Sequence, residues 1–156
     1  MSGRKNPTGK AAIARELTHA TRDLLLAYKS VLEDAVRPHG LTLPQLRMLN
    51  AVAEQNEVSA ATIARQCHIT PQTLQAILTR AVREGWIVRG TSKKNQRILT
   101  ASLTAKGQKL LDIGQNAARD IEERMWKQTS RDAMGEVIAT LRQATELLQS
   151  QPAPLK

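Results

Sequence analysis

Between positions 70 and 97 the chain gathers side chains whose chemistry suits a nucleic acid. Gln72, Thr73, Gln75, Thr79, Arg80 and Arg83 follow a Thr70-Pro71 pair, and Lys93, Lys94, Asn95 and Arg97 come shortly after. A glutamine amide sets a donor beside an acceptor and matches N6 and N7 of adenine. A threonine can bond a base edge or touch a thymine methyl, and guanidinium or ammonium groups suit phosphates. Charge is concentrated in the same place. The 156 residues carry a net +9, and residues 59–110 hold nine basic residues against one acid, Glu84, which is +8 of that total. A local excess of this kind implies a polyanion-binding surface. A merely solvated face is the alternative, though such faces usually mix both signs.

Other chemistry is thinly supplied. There is one cysteine, Cys67, so no internal disulfide is possible and a reducing cytoplasm is expected. Cys67, His68 and the distant His39 do not make a zinc spacing, so no metal and no cofactor are expected. Cys67 reads as a small buried packing residue, with modest reactivity beside His68 as the alternative. No Gly-rich phosphate loop, nucleophile motif or paired metal-binding helix motif occurs, which argues against an enzyme. No apolar run approaches the ~20 residues of a membrane span, and no apolar stretch follows the basic N-terminus to make a secretory signal. Arg15, His19 and Arg22 recur at helical spacing, and with Arg47 they offer a candidate anion site; a solvated face is the competing reading.

The elements that must position these groups follow from periodicity and punctuation. Gly3, Pro7 and Gly9 mark a loose arm over residues 1–9. Ile13, Leu17, Ala20, Leu24, Tyr28, Val31 and Ala35 step by three or four and predict a helix over about 10–37, ended by Pro38-His39-Gly40. A second helix runs from about 43 to 55 with Leu46, Leu49, Val52 and Ala53 inward. Ser59 caps a short helix to about Cys67, with Ile63 and Ala64 inward. Thr70 caps the next, Pro71 occupies its first position, and Leu74, Ile77, Leu78 and Ala81 form its buried side until Gly85. That leaves Pro71, Gln72, Gln75, Ala76, Thr79 and Arg80 facing out, with Thr73 at the margin. Residues 86–89 and 97–103 read as two strands of a hairpin with a polar loop over 90–96. Thr104 caps a helix to about 128, and Ser130 caps a last one with the stripe Met134, Val137, Ile138, Leu141, Ala144 and Leu148. Pro152 and Pro154 mark a frayed tail over 151–156. With 2% aromatic residues and no Phe, the core must be aliphatic, which favours packed helices.

Helix, tight turn, helix and hairpin in that order is the layout of a winged helix-turn-helix. Three stretches resemble the MarR family of bacterial regulators: LTLPQLRMLNAVAE, VSAATIARQCHITPQTLQAILTRAVREGWIVRG and NQRILTASLTAKG. In the last, Arg97 with Leu103, Thr104 and Gly107 matches the wing signature. The resemblance covers residues 41–112 by motif and the flanking helices by layout. It implies a two-fold dimer on double-stranded DNA, with a recognition helix in each major groove and a wing arginine near each minor groove. It also implies repression of transcription and release by a small, often aromatic, ligand. Two departures stand out. The family's wing acid is Asn95 here, and Ala76 occupies a place where a polar base-reading residue is frequent.

The expectation is therefore a mainly α protein. A winged helix-turn-helix spans residues 41–112, and a dimerisation region is formed by residues 10–37 and 113–150. Thr70, Pro71, Gln72, Thr73, Gln75, Ala76, Thr79 and Arg80 face DNA from the helix, with a lean toward A·T pairs. Arg83, Lys93, Lys94, Asn95 and Arg97 face it from the helix end and wing. Ile13, Leu17, Leu24, Val137, Ile138, Leu141 and Leu148 meet a second copy, and Arg15, His19 and Arg47 meet an aromatic anion. A non-specific architectural DNA-binding protein is the alternative reading.

Overall fold

The computed structural model describes residues 9–54, 59–91 and 99–150. The expected arm and tail, and the wing residues Lys93, Lys94, Asn95 and Arg97, lie outside the described residues. Six helices and one two-stranded antiparallel sheet are seen among them, in the order α1 (Lys10–Val36), α2 (Leu43–Glu54), α3 (Ala60–Cys67), α4 (Pro71–Arg83), β1 (Ile87–Thr91), β2 (Leu99–Leu103), α5 (Ala105–Trp126) and α6 (Arg131–Ser150). The chain divides into two compact units, Met1–Ile121 and Glu122–Lys156.

In the first unit α1 ends in a single 3-10 turn, Arg37–His39, and Gly40 at φ 74° reverses the chain, a conformation that glycine adopts without a Cβ penalty. The start of α2 is closed by side chains. The Gln45 Oε1 accepts from the Thr42 backbone N–H at 3.0 Å, one half of a Thr-x-x-Gln capping box, and Glu33 Oε2 of α1 accepts from the Leu43 N–H at 2.9 Å. This explains how a buried glutamine is tolerated: Gln45 is 5% exposed but hydrogen-bonded. The inward face of α2 is Gln45, Leu46, Met48, Leu49, Ala51 and Val52. Ala53, expected inward, is exposed, because the buried arc of α2 is set one position back by Met48 and Ala51.

Apart from the buried Trp86, the core is aliphatic, as the composition requires. Leu41, Met48, Leu49, Ile63, Leu74, Ile87 and Leu111 are its largest fully buried side chains. The sheet pairs Ile87 with Leu103 and continues through Arg89–Ala101 and Gly90–Thr100 to Thr91–Leu99. Gly90 and Thr91, read from sequence as loop, are thus strand, because the ladder carries on past the core edge.

Hairpin and helix meet at Thr104. Its N–H donates to the Trp86 carbonyl at 3.0 Å, its Oγ1 donates to the Gly85 carbonyl at 2.6 Å, and the same oxygen accepts from the Gly107 N–H at 3.1 Å. The first turn of α5 is drawn so close to the strand that a Cβ on Gly107 would collide with the Trp86 carbonyl. In the second unit α6 starts at Ser130, whose Oγ accepts from the Ala133 N–H at 3.2 Å. None of its residues is buried.

Gly107→Ala should lower stability by about 1–3 kcal/mol in urea titration, since the collision is with backbone and cannot be relieved by a rotamer change. Gly135→Ala, in open space within α6, should leave stability unchanged or raise it by about 0.5–1 kcal/mol. Equal effects at both positions would contradict the packing described.

Candidate nucleic-acid interface

The helix-turn-helix is built by two caps and one left-handed residue. Ser59 Oγ accepts from the Thr62 N–H at 3.2 Å to start α3. His68 closes it at φ 53° and ψ 45°, and its N–H turns back to the Ala64 and Arg65 carbonyls. Two residues later Thr70 Oγ1 accepts from the Thr73 N–H at 3.1 Å and starts α4, with Pro71 in the first turn. The Thr70 and Thr73 hydroxyls also bond each other at 2.9 Å.

α4 has two distinct sides. Leu74, Ile77, Leu78 and Ala81 are buried against the core. Pro71, Gln72, Thr73, Gln75, Ala76, Thr79 and Arg80 are exposed. Thr70 is exposed too, but its hydroxyl is committed to the cap. Arg83 is exposed at the far end, 3.5 Å from the Glu84 carboxylate. Lys106 is tied to the same end, donating from Nζ to the Glu84 carbonyl at 2.9 Å, a cation on a helix C-terminus.

Two arginines differ from their sequence reading. Arg80, expected to reach outward to phosphate, is folded back: Nη2 donates to the Gly40 carbonyl at 3.4 Å, and Cζ lies 5.6 Å from the centroid of the buried Trp86 ring. A long side chain on an exposed face was captured by an acceptor 40 positions away. Arg89, one of the nine basic residues of 59–110, lies against the outer side of α4. Strand residues i and i+2 share a face, so Arg89 continues the inward face of buried Ile87 past the core edge. There its Nη2 donates to Gln75 Oε1 of α4 at 3.3 Å. The alternation Ile87-x-Arg89 was the available signal.

The candidate effector residues are not brought together. Arg47 lies with Asn50, Ala51, Glu54, Gln66 and Cys67 around an open cavity of about 340 Å³ between α2 and α3. Arg15 and His19 are exposed on α1 and do not line it. Cys67 is 1% exposed. Burial pushes its thiol pKa up, and Arg47 offsets this only in part.

Among the described residues, much of the apolar stripe of α1 is left uncovered. Ile13, Leu17, Leu24, Leu25, Leu26 and Val31 are exposed. On α6, Val137, Ile138, Leu141, Leu147 and Leu148 are exposed as well, Leu148 at 73%. Among the described residues no helix is long and apolar enough to cross a membrane.

Comparison with known proteins identifies the lineage. Residues 39–98 match the MarR family. An HTH-type transcriptional repressor of Mycobacterium tuberculosis is 32% identical over 91 residues, 58% of this chain and 66% of that protein, so the chain spans just under two thirds of that relative's length. The homoprotocatechuate degradative operon repressor of Escherichia coli is 30% identical over 118 residues, 76% of this chain and 80% of that protein. In fold, the chain is similar to Staphylococcus aureus MarR, solved in complex with salicylate and kanamycin. The TM-score is 0.79 at 20% identity, covering 89% of this chain and 94% of that one.

Thr70→Ala should cost about 1 kcal/mol in thermal or urea unfolding, the usual value of a lost N-cap. Cys67 should alkylate far more slowly in the native chain than in the unfolded one between about pH 7 and 9. Its folded pKa is the higher one, so its contribution to stability is intact below the ordinary thiol pKa of about 8.5 and is lost as pH rises through the folded value. Equal native and unfolded alkylation rates would contradict the burial.

Proposed function

The chain belongs to the MarR family of regulators, and from that premise we propose that it is a sequence-specific transcriptional repressor that binds duplex DNA as a homodimer. The observation that carries this reading is the exposed, polar, doubly capped outer side of α4. A helix of 13 residues with Gln72, Thr73 and Gln75 in its first two turns has the size and side chains to enter a major groove. Its apolar side is fully used by the core, so its orientation is fixed without DNA. Residues 90–97 form the proposed wing, and Arg97 with Lys93 and Lys94 are its proposed contacts to backbone and minor groove.

The homodimer is supported by the uncovered apolar stripes. A 20-residue helix with no buried side chain lacks the tertiary packing that normally holds a helix together, and α6 is such a helix. A second copy that covers Ile13, Leu17 and Leu24 of α1, and Val137, Ile138, Leu141 and Leu148 of α6, supplies that packing. Two recognition helices then address half-sites about 34 Å apart, one DNA turn.

The release signal we propose is a small aromatic anion, in keeping with a family member that binds salicylate. Arg47 is its proposed partner, beside a cavity whose volume of about 340 Å³ suits a small molecule. Arg15 and His19 remain candidates on α1.

Selection of bound duplexes from a random pool tests the reading directly. The expected product is a pseudo-palindrome preferred over bulk DNA by on the order of 10³ or more at physiological salt. Arg97→Ala should weaken binding to all sequences and reduce the salt slope by about one. Uniform binding to every duplex would replace this reading with an architectural role, and no binding at low salt would end it.

A further inference from the structure

The hydrogen bond between Gln75 and Arg89 changes what the centre of α4 is able to read. An unassisted glutamine pairs with adenine by accepting from N6 and donating to N7, which needs its oxygen and nitrogen side by side and both available. Here Gln75 Oε1 accepts from Arg89 Nη2 at 3.3 Å. The guanidinium has five donors and no acceptor, so only the amide oxygen can face it. The bond therefore fixes which end of the amide points toward β1 and which end points away.

Both partners are exposed, on the outer side of α4 and on the adjoining strand. Their relative position is set by buried structure. Arg89 pairs across the sheet with Ala101, which is 6% exposed, and Gln75 precedes buried Ile77 and Leu78 on α4. Behind the pair is a void of about 20 Å³, room for about one water, walled by Ala60, Ile63, Leu78 and Ala101, with Thr100 its only other polar side chain. The pair thus rests on a largely apolar wall. Among the described residues, Gln75 Nε2 and the other guanidinium N–H groups have no hydrogen-bond partner.

We infer that Gln75 and Arg89 act as one reading head in which donors outnumber acceptors, since Arg89 occupies one lone pair of Oε1 and sets a cation beside the other, and that Arg89 makes this position select guanine rather than adenine. A guanine offers N7 and O6, two acceptors and no donor, on its major-groove edge. Adenine offers N7 but sets an N6 donor beside it, opposite the N–H groups of the pair. The lean toward A·T expected from the glutamines alone is thereby confined to Gln72 and Thr73. Arg89 is a specificity residue supplied by the wing strand to the recognition helix. Its charge strengthens attraction to DNA generally, while its hydrogen bond to Gln75 supplies the discrimination.

The inference rests on the reading of α4 as the recognition helix, and its test separates the two. Full-length wild type, Arg89→Ala, Arg89→Lys, Gln75→Ala and the double variant Gln75→Ala with Arg89→Ala are each used to select duplexes from the same random pool. Affinities are then measured on the selected site and on its single-base variants, and circular dichroism verifies equal helicity. Wild type should enrich a guanine at one position of each half-site. Arg89→Ala removes the cation and its donors from beside Oε1 and should shift that position toward adenine, changing the guanine-to-adenine preference by about 10-fold or more. Arg89→Lys keeps the charge but not the planar fork, and should retain most of the affinity while losing most of the preference. Gln75→Ala and Arg89→Ala should be non-additive in a double-mutant cycle at this position and additive elsewhere in the site. An adenine at that position in the wild-type site overturns the inference alone. So does a uniform loss of affinity in Arg89→Ala with the preference unchanged, which marks a phosphate contact. A wild-type pool with no enriched sequence overturns the regulator reading and this inference with it.

Discussion

Four elements are tied together through the hydroxyl and backbone N–H of Thr104. The Gly85 and Trp86 carbonyls belong to the end of α4 and the entry to β1, Thr104 itself follows β2, and the Gly107 N–H belongs to α5. A two-stranded hairpin is marginal alone, and the junction adds to what it gains from its own ladder and from its contacts with α2 and α4. With it, the strand carrying Arg89 is fixed against the helix carrying Gln75. The Leu-Thr-x-x-Gly segment is therefore a structural fastening. Its leucine and threonine end the sheet and cap α5, and its glycine lets the helix touch the strand backbone. The chemistry of the interface is supplied by residues on either side of it.

A second constraint is the division of labour between the faces of α4. Four apolar side chains on one arc are enough to hold a 13-residue helix to the core. The opposite arc is then free of any packing duty and can vary in polarity at little cost. Arg80 is the exception on that arc. Its position over Trp86 and against the Gly40 carbonyl makes it a brace between α4 and the turn that follows α1.

Much of this was legible in the sequence because the relevant interactions are local. Ser59, Thr70 and Pro71 announce helix starts that depend on three or four consecutive residues, and the structure has them there. The stripe Leu74, Ile77, Leu78 and Ala81 follows from helical period alone. What was not legible depended on contacts between distant segments. Arg80 finds its acceptor at Gly40, and Arg89 finds Gln75 only once the hairpin register is set. Ala53 was misplaced because periodicity gives the width of a buried arc more reliably than its edges, and Gln45, a polar residue, took an inward position by capping its own helix. The resemblance to the MarR family was carried by the joint pattern of motifs, which survives where single-residue readings do not.

The carboxylate of Glu33 has a mechanical consequence. It projects from α1, yet the N–H it accepts from belongs to the first residue of α2. The two helices share a pivot at that point, on the far side of the Gly40 reversal. A rotation of α1 about its own axis would swing the carboxylate away and strip α2 of part of its closure, whereas a tilt that carries both helices would keep the bond. Of these two movements, rocking of the pair keeps the bond and twisting of α1 breaks it.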